Sequence, residues 1–312
     1  MKRTIILTLL LLFSAAGVVF AQQDDMSSQP GTAAIYQRFE AANKWLNQNN
    51  LSITKTPQQA FISDYVLVVG EGLPSPASQS PAQRRLTAIR AATIVAYRQL
   101  AEFLDGFAVV GDTMVRDAAL QYDVVRSAVS GFVKGAQVVY QDYNDQEGVA
   151  IVLVKVGMTG PQGFGQRMYD KLLGNSEIKN TVVQPSPMPA FKHKPVPLDE
   201  KYDGLVIDAT EQNFRPALIN RIFTVKGDII YDPSKVSQKV LVEQGCGEYT
   251  NSVDKARAAL ASRGVSNPLV VKAVGTVSAS DLQVSDDDAV TIYSANQKGG
   301  FFAAAKVAFV LK

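Results

Sequence analysis

Apolar positions along the chain recur with two different periods, and the switches between them mark out the elements. Leu86, Ile89, Thr93, Ala96, Leu100 and Phe103 step by three and four, the spacing that lines one face of a helix. Arg84, Arg85, Arg90, Arg98 and Glu102 lie largely off that stripe. Ser80 offers a cap, Pro81 suits the first helical position, and Gln83 stands where a capping box places its partner. Asp105-Gly106 should stop the helix, with the glycine left-handed. Ala118, Tyr122, Val125, Val129 and Phe132 predict a second helix. Phe164, Met168 and Leu172 predict a third over residues 161–173, ended by Gly174. Nearer the start, Ile35, Phe39, Ala42 and Leu46, with Trp45 adjoining, predict an amphipathic helix that stops at the polar residues 47–50.

The strand signals alternate with these. Residues 64–69 read as a strand, broken by Gly70-Glu71-Gly72 and a Pro/Ser loop. Residues 136–143 and 149–156 read as a hairpin across the turn-forming 144–148. The second of these strands is apolar on both faces, so it belongs in the middle of its sheet. The economical arrangement is helices laid on one face of a mainly antiparallel sheet. Five prolines fall between Pro185 and Pro197, which favours an extended, semi-rigid connector and places a domain boundary there. Beyond it, residues 204–209, 219–225, 228–231, 269–274 and 306–311 read as strands. Helices are expected over 253–263 and from a Ser285 cap to about 296, and Val240-Leu241-Val242 reads as a further apolar strand.

The predicted fold class is α+β in two domains: N-terminal helices on a mainly antiparallel sheet, then a C-terminal α+β or α/β domain. The expected division is a signal peptide over 1–21, a flexible lead-in and amphipathic helix over 22–60, an α+β domain over 61–174, a Pro-rich linker over 175–202 and a C-terminal domain over 203–312. The leader is assigned from the basic Lys2-Arg3, the apolar run to Phe13, and small residues closing at Ala21, the order of a secretory signal with cleavage after Ala21. No later segment is long and apolar enough to span a bilayer. The expected location is therefore the periplasm, or export.

Charge and chemistry narrow the function further. Of 31 Lys+Arg, two lie in the predicted leader, so the remaining 29 balance the 29 Asp+Glu. A chain near neutrality carries no global field for nucleic acid, and no nucleic-acid partner is expected. The single cysteine, Cys246, has no partner for an intrachain disulfide and reads as a small core residue. The single histidine, His193, stands between two lysines in the proline-rich segment, where an extended chain cannot hold a general base in place. No Ser-His-Asp, Cys-His or nitrogen/sulfur zinc set can be assembled from these.

Other short patterns fall away on inspection. Ser176-Glu177-Ile178-Lys179 lacks the companion motifs of penicillin-recognising enzymes. Asp286-Asp287-Asp288 lacks the ligand alternation of a calcium loop and suits the first turn of a helix. Gly70-Glu71-Gly72 lacks the remainder of a phosphate loop and reads as a turn. Carboxylate pairs Asp64/Glu71 and Asp203/Asp208 are the candidates a glycosidase would need. No catalytic, cofactor or metal residue is assigned.

The segment from about Phe61 to Met158 resembles the LPP-twenty lipoprotein domain family, and more distantly the N-terminal region of the flagellar assembly protein FlgT. The residues that carry this are the strand into Val69-Gly70-Glu71-Gly72, the helix segment Ala88-Ile89-Arg90-Ala91-Ala92 with Ala96-Tyr97-Arg98-Gln99-Leu100-Ala101-Glu102, and the run from Val124 through Gly131-Phe132-Val133 to Val139 with its hairpin. Ala88, Ala92 and Ala96 would let a helix lie close on a sheet. The resemblance implies an envelope-associated, non-catalytic protein linked to outer-membrane or cell-surface assemblies. The cysteine that family lipoproteins carry at the cleavage point is Gln22 here, so lipid anchoring is not implied. The expected function is a periplasmic binding or assembly protein, with an envelope or outer-membrane protein or a second copy of the chain as partner. Arg84, Arg85, Arg90 and Arg98 are the candidate partner surface. The alternatives are a carboxylate-dependent hydrolase of cell-wall glycans and a flagellar-type structural ring component.

Overall fold

A computed structural model describes residues 39–183 and 189–312. The expected signal peptide, its cleavage point and the first turn of the amphipathic helix lie outside these residues. The described chain is α+β, built from several sheets with helices packed on them. Among the described residues no helix is long and apolar enough to cross a membrane.

The N-terminal half is organised around an antiparallel sheet in the order β1-β5-β4, made of β1 (Tyr65–Gly72), β4 (Gln137–Asn144) and β5 (Val149–Gly157). Doubly apolar β5 is central, as its composition demands. Alternation sends Val152 and Val154 to one face and Ile151 and Leu153 to the other. Helix α3 (Pro81–Asp105) covers the first face. Helix α1 (Glu40–Gln48) covers the second through Ala42 and Leu46, with Phe39 just before it. Both faces are thus clad, where the pattern had suggested one. Between them in sequence, α2 (Pro57–Ser63) is a short helix capped by the Thr56 side chain.

The capping box of α3 is present: the Ser80 side chain accepts from the Gln83 N–H, and the Gln83 side chain accepts from the Ser80 N–H. The buried face shares Ala96 and Leu100 with the expected stripe and includes the Ala88 and Ala92 expected to lie close on a sheet, but it leaves Leu86 outside. The buried residues are Ala88, Ala92, Ala96, Leu100 and Leu104, whereas Leu86 is 67% exposed. The reason lies in β1. Gly70 and Gly72, expected to break the strand, continue it beneath α3. A Cβ on Gly70 would sit 2.1 Å from the Ala92 carbonyl oxygen, and one on Gly72 would sit 2.3 Å from the Ala92 nitrogen. Glycines below and alanines above let the two backbones touch, and that contact outweighs the larger apolar residues in choosing the buried side. Gly106 ends the helix with a right-handed φ of −80°, not a left-handed one.

Next come β2 (Ala108–Val110), β3 (Thr113–Met114), and two helices, α4 (Val115–Gln121) and α5 (Asp123–Lys134), where one had been expected. The extended backbone of Tyr122 (φ −126°, ψ 112°) separates them. Helix α6 (Phe164–Gly174) buries Phe164, Met168 and Leu172 as predicted. The start of the expected linker is packed, not extended. A helical turn at Ser176–Ile178 and a wider one at Lys179–Val183 bury Ile178, Val182 and Val183. Residues 189–203 do run without regular structure, pinned by a bridge between Ala190 and Ile229 and by a Val196 N–H to Ser294 Oγ bond of 3.0 Å.

The C-terminal half holds a fully parallel sheet in the order β10-β14-β6-β11, of β6 (Gly204–Asp208), β10 (Glu248–Thr250), β11 (Pro268–Lys272) and β14 (Val307–Val310). Helix α8 (Val253–Ser262) seats Ala256 and Leu260 on one side of it. A second, mixed sheet, β12-β13-β8-β9, contains β8 (Arg221–Thr224), β9 (Ile229–Tyr231), β12 (Gly275–Ser278) and β13 (Asp281–Val284). Helix α7 (Gln238–Gln244) replaces the strand expected at Val240-Leu241-Val242; of these three only Leu241 is fully buried. Helix α9 (Asp286–Gly299) starts from the expected Ser285 cap.

The halves are joined through backbone and core. Strand β2 pairs in parallel with β7 (Ala217–Ile219), aligning Ala108 with Ala217 and Val110 with Ile219. One apolar core runs through both halves. Beside the seam, Arg221 grips Asp281 through two bonds (Nε to Oδ1 2.9 Å, Nη2 to Oδ2 2.5 Å) with both side chains nearly sealed from solvent.

Candidate functional site

Two regions carry chemistry that the core does not absorb. The first is the outward side of α3. Because Ala88, Ala92 and Ala96 face the sheet, Leu86, Arg90, Ile94 and Arg98, each four residues apart, come to the solvent side as one ridge about 18 Å long. Leu86 and Ile94 are 67% and 61% exposed. Arg98 makes only a solvent-exposed contact with Glu102 (3.7 Å). The four candidate arginines are therefore all exposed, but only Arg90 and Arg98 share the ridge. Arg84 bends back over the β4–β5 turn, within reach of Gly148, and Arg85 lies at the exposed N-terminal end of the helix. Leu86 and Ile94 were missed as surface residues because the apolar period assigned Leu86 to the core.

The second region is a cleft of about 240 Å³ between the halves. Its walls come from the end of α2, the turn after β5, the start of α6, β7, and residues 242–249. Asp64, left-handed at φ 61°, caps the turn after β5, accepting from the Thr159 N–H (3.0 Å) and Thr159 Oγ1 (2.7 Å). Glu248 faces the same space and binds Arg263 (3.0 Å). Burial pushes the Glu248 carboxyl up, Arg263 works against this, and the Asp64 charge adds to it. The Gln166 side-chain oxygen is buried there without a hydrogen-bond partner. No Lys or Arg lines the cleft among the described residues.

Behind the cleft lies a buried knot of polar side chains. Tyr169 and Tyr249 donate their hydroxyls to the Leu218 and Ala217 carbonyls, and Tyr231 donates to the Cys246 carbonyl (2.5 Å). Cys246 is buried, as its composition suggested, and burial pushes its thiol up to about 12. A thiol held protonated so far above neutrality is a poor nucleophile.

The remaining sequence patterns take structural places. His193 is exposed and stacks on Phe191. Asp286, Asp287 and Asp288 occupy the first turn of α9, where Asp288 meets Ser285 and Asp286 meets Lys226 (2.8 Å). Asp64 and Glu71 stand toward opposite ends of β1, roughly 20 Å apart at strand rise. Asp203 and Asp208 bracket β6 at roughly 15 Å. Neither pair can flank one glycosidic bond, which needs carboxyls within about 10 Å. Among the described residues no group of three or more His, Cys, Asp or Glu is placed to hold a metal ion.

Part of the chain is similar to a known family. Residues 204–312 match the model of the second domain of Treponema pallidum Tp0624. That span corresponds to the C-terminal half, from the first residue of β6 onward. No curated protein matches the chain.

Proposed function

We propose that this is a non-catalytic binding and assembly protein of the bacterial envelope, exported by its leader, and that it docks an envelope or outer-membrane protein through α3. The observation that carries the reading is the ridge Leu86-Arg90-Ile94-Arg98, which interleaves two exposed aliphatic side chains with two arginines on a helix held rigidly by Gly70 and Gly72. Arginine is enriched at binding hot spots, Leu86 and Ile94 add apolar area beside it, and a rigid helix presents them with a reduced ordering penalty. The likeness of residues 61–158 to the LPP-twenty domain supports the same assignment, as does the use of the cleft's tyrosines and thiol in internal bonds.

A photo-crosslinking amino acid at Ile94 in intact cells tests this, with exposed Ala258 on α8 as the control position. The expected result is an adduct in the envelope fraction from Ile94 alone, lost in the variant carrying Arg90→Glu and Arg98→Glu. Equal labelling from both positions, or none from Ile94, rejects the ridge as the docking face. Hydrolysis of peptidoglycan by the pure protein, abolished by replacing one Asp or Glu, rejects the non-catalytic reading.

A further inference from the structure

The cleft between the halves has an uneven balance of hydrogen-bonding groups. Its acceptors are in surplus: Asp64, Glu243 and Glu248 line it, and the Gln166 side-chain oxygen is sealed in its wall without a hydrogen-bond partner. Its hydroxyl donors are committed, Thr159 to Asp64 and Tyr169 and Tyr249 to backbone carbonyls. Arg263 takes Glu248 Oε1 and is itself shared with the Gln244 side chain and the Ala304 carbonyl, so Glu248 Oε2 remains for another donor. Three carboxylates, Asp64 from the N-terminal half and Glu243 and Glu248 from the C-terminal half, raise one another's electrostatic energy across a space that no Lys or Arg lines among the described residues.

We propose that this cleft binds a small organic molecule bearing a primary ammonium group, held between Asp64 of the N-terminal half and Glu248 of the C-terminal half. An ammonium supplies three donors and a positive charge, the kind of group and the sign that this lining lacks. The cavity, about 240 Å³, has room for a short amine. The absence of a three-ligand acidic or nitrogen/sulfur cluster among the described residues argues for an organic cation over a metal ion. The site is independent of the α3 ridge. Because its walls come from both halves, occupancy would tie them together at a point away from the β2–β7 pairing.

The test is calorimetric titration of the full mature chain with 1,4-diaminobutane at fixed ionic strength, with glucose and calcium chloride titrated separately. Asp64→Asn suits the purpose because Asn tolerates the left-handed backbone and keeps an acceptor for the Thr159 N–H. One-site binding is expected for the diamine, weakened about tenfold by Asp64→Asn and by Glu248→Gln, as loss of a charge-assisted bond implies. Asp254→Asn, at an exposed carboxylate of α8, should leave it unchanged. Circular dichroism of each variant establishes that it is folded, and Asp64→Asn decides the matter if Glu248→Gln is not. Absence of saturable heat up to about 10 mM diamine, a level that would reveal even millimolar affinity, overturns the proposal. So does equal affinity in Asp64→Asn, or saturable binding of calcium or glucose in place of the amine.

Discussion

Placing one methyl group on Gly70 should damage this protein more than removing many larger groups would. The Cβ of Gly70→Ala would fall 2.1 Å from the Ala92 carbonyl oxygen, 2.5 Å from the Ala96 nitrogen and 2.9 Å from the Ala96 Cβ. Two of these are backbone atoms of α3, so no side-chain rotation relieves the clash and the helix itself must rise by about 1 Å. Overpacking of this kind costs about 1–3 kcal/mol directly. Lifting α3 also opens the contacts of Ala88, Ala92, Ala96, Leu100 and Leu104, and a gap of 0.5–1 Å forfeits roughly a quarter to a half of each contact's attraction. The smaller backbone entropy of Ala in the unfolded chain returns about 0.4–1 kcal/mol.

The net expectation is a loss of about 3–4 kcal/mol, a large part of the roughly 5–15 kcal/mol that holds a domain folded. Urea unfolding followed by circular dichroism and by the fluorescence of Trp45 measures it. That tryptophan is the chain's only one, and it packs against Tyr140 on the opposite face of the same sheet. Gly131→Ala is the matched control. Gly131 lies in α5 with open space around it, so Ala should stabilise by about 0.5–1 kcal/mol. A Gly70→Ala midpoint equal to that of the unsubstituted protein would refute the account of why α3 buries its alanine face.

Two other perturbations follow from buried groups. Replacing Arg221 by Met should cost about 3–5 kcal/mol, because Asp281 is left charged and sealed, whereas Arg221→Met with Asp281→Leu together should cost less than either alone; a urea double-mutant cycle reads the sign of the coupling. Cys246 is protonated up to about 12 when folded but ionises near 9 when unfolded. The unfolded state therefore holds fewer protons between those values, and the thiol's contribution to stability is complete below pH 9 and falls by about 1.4 kcal/mol per unit above it. The stability difference between the natural chain and Cys246→Ala should show that slope, and the thiol should resist a disulfide reagent at pH 8 until urea is added; a flat difference or rapid native labelling contradicts the burial argument.

Much of the local structure was legible in the residues. The Ser80-Pro81-Gln83 start, the turn after Asn144, the Ser285 cap and the central place of β5 each depend on neighbours within a few positions. The candidate sites were legible only in part. The four arginines were correctly read as lying off the buried stripe, but Leu86 and Ile94 were not identified beside Arg90 and Arg98. Nothing in the linear pattern joined Asp64 to Glu248, which are 184 positions apart.

The amino-acid order by itself determined most of the longer helices and strands, since caps, turns and periodicity act over a handful of residues, but not the helix at Gln238–Gln244 or the strand through Gly70 and Gly72. Tertiary structure decided how far the buried face of α3 turns toward its alanines, leaving Leu86 outside, because that depends on a glycine pair in another strand that admits backbone contact where a side chain cannot fit. It also decided that β2 pairs with β7 and that two carboxylates face one cleft. Those outcomes are set by close packing between distant segments, a property of surfaces meeting that no local period encodes.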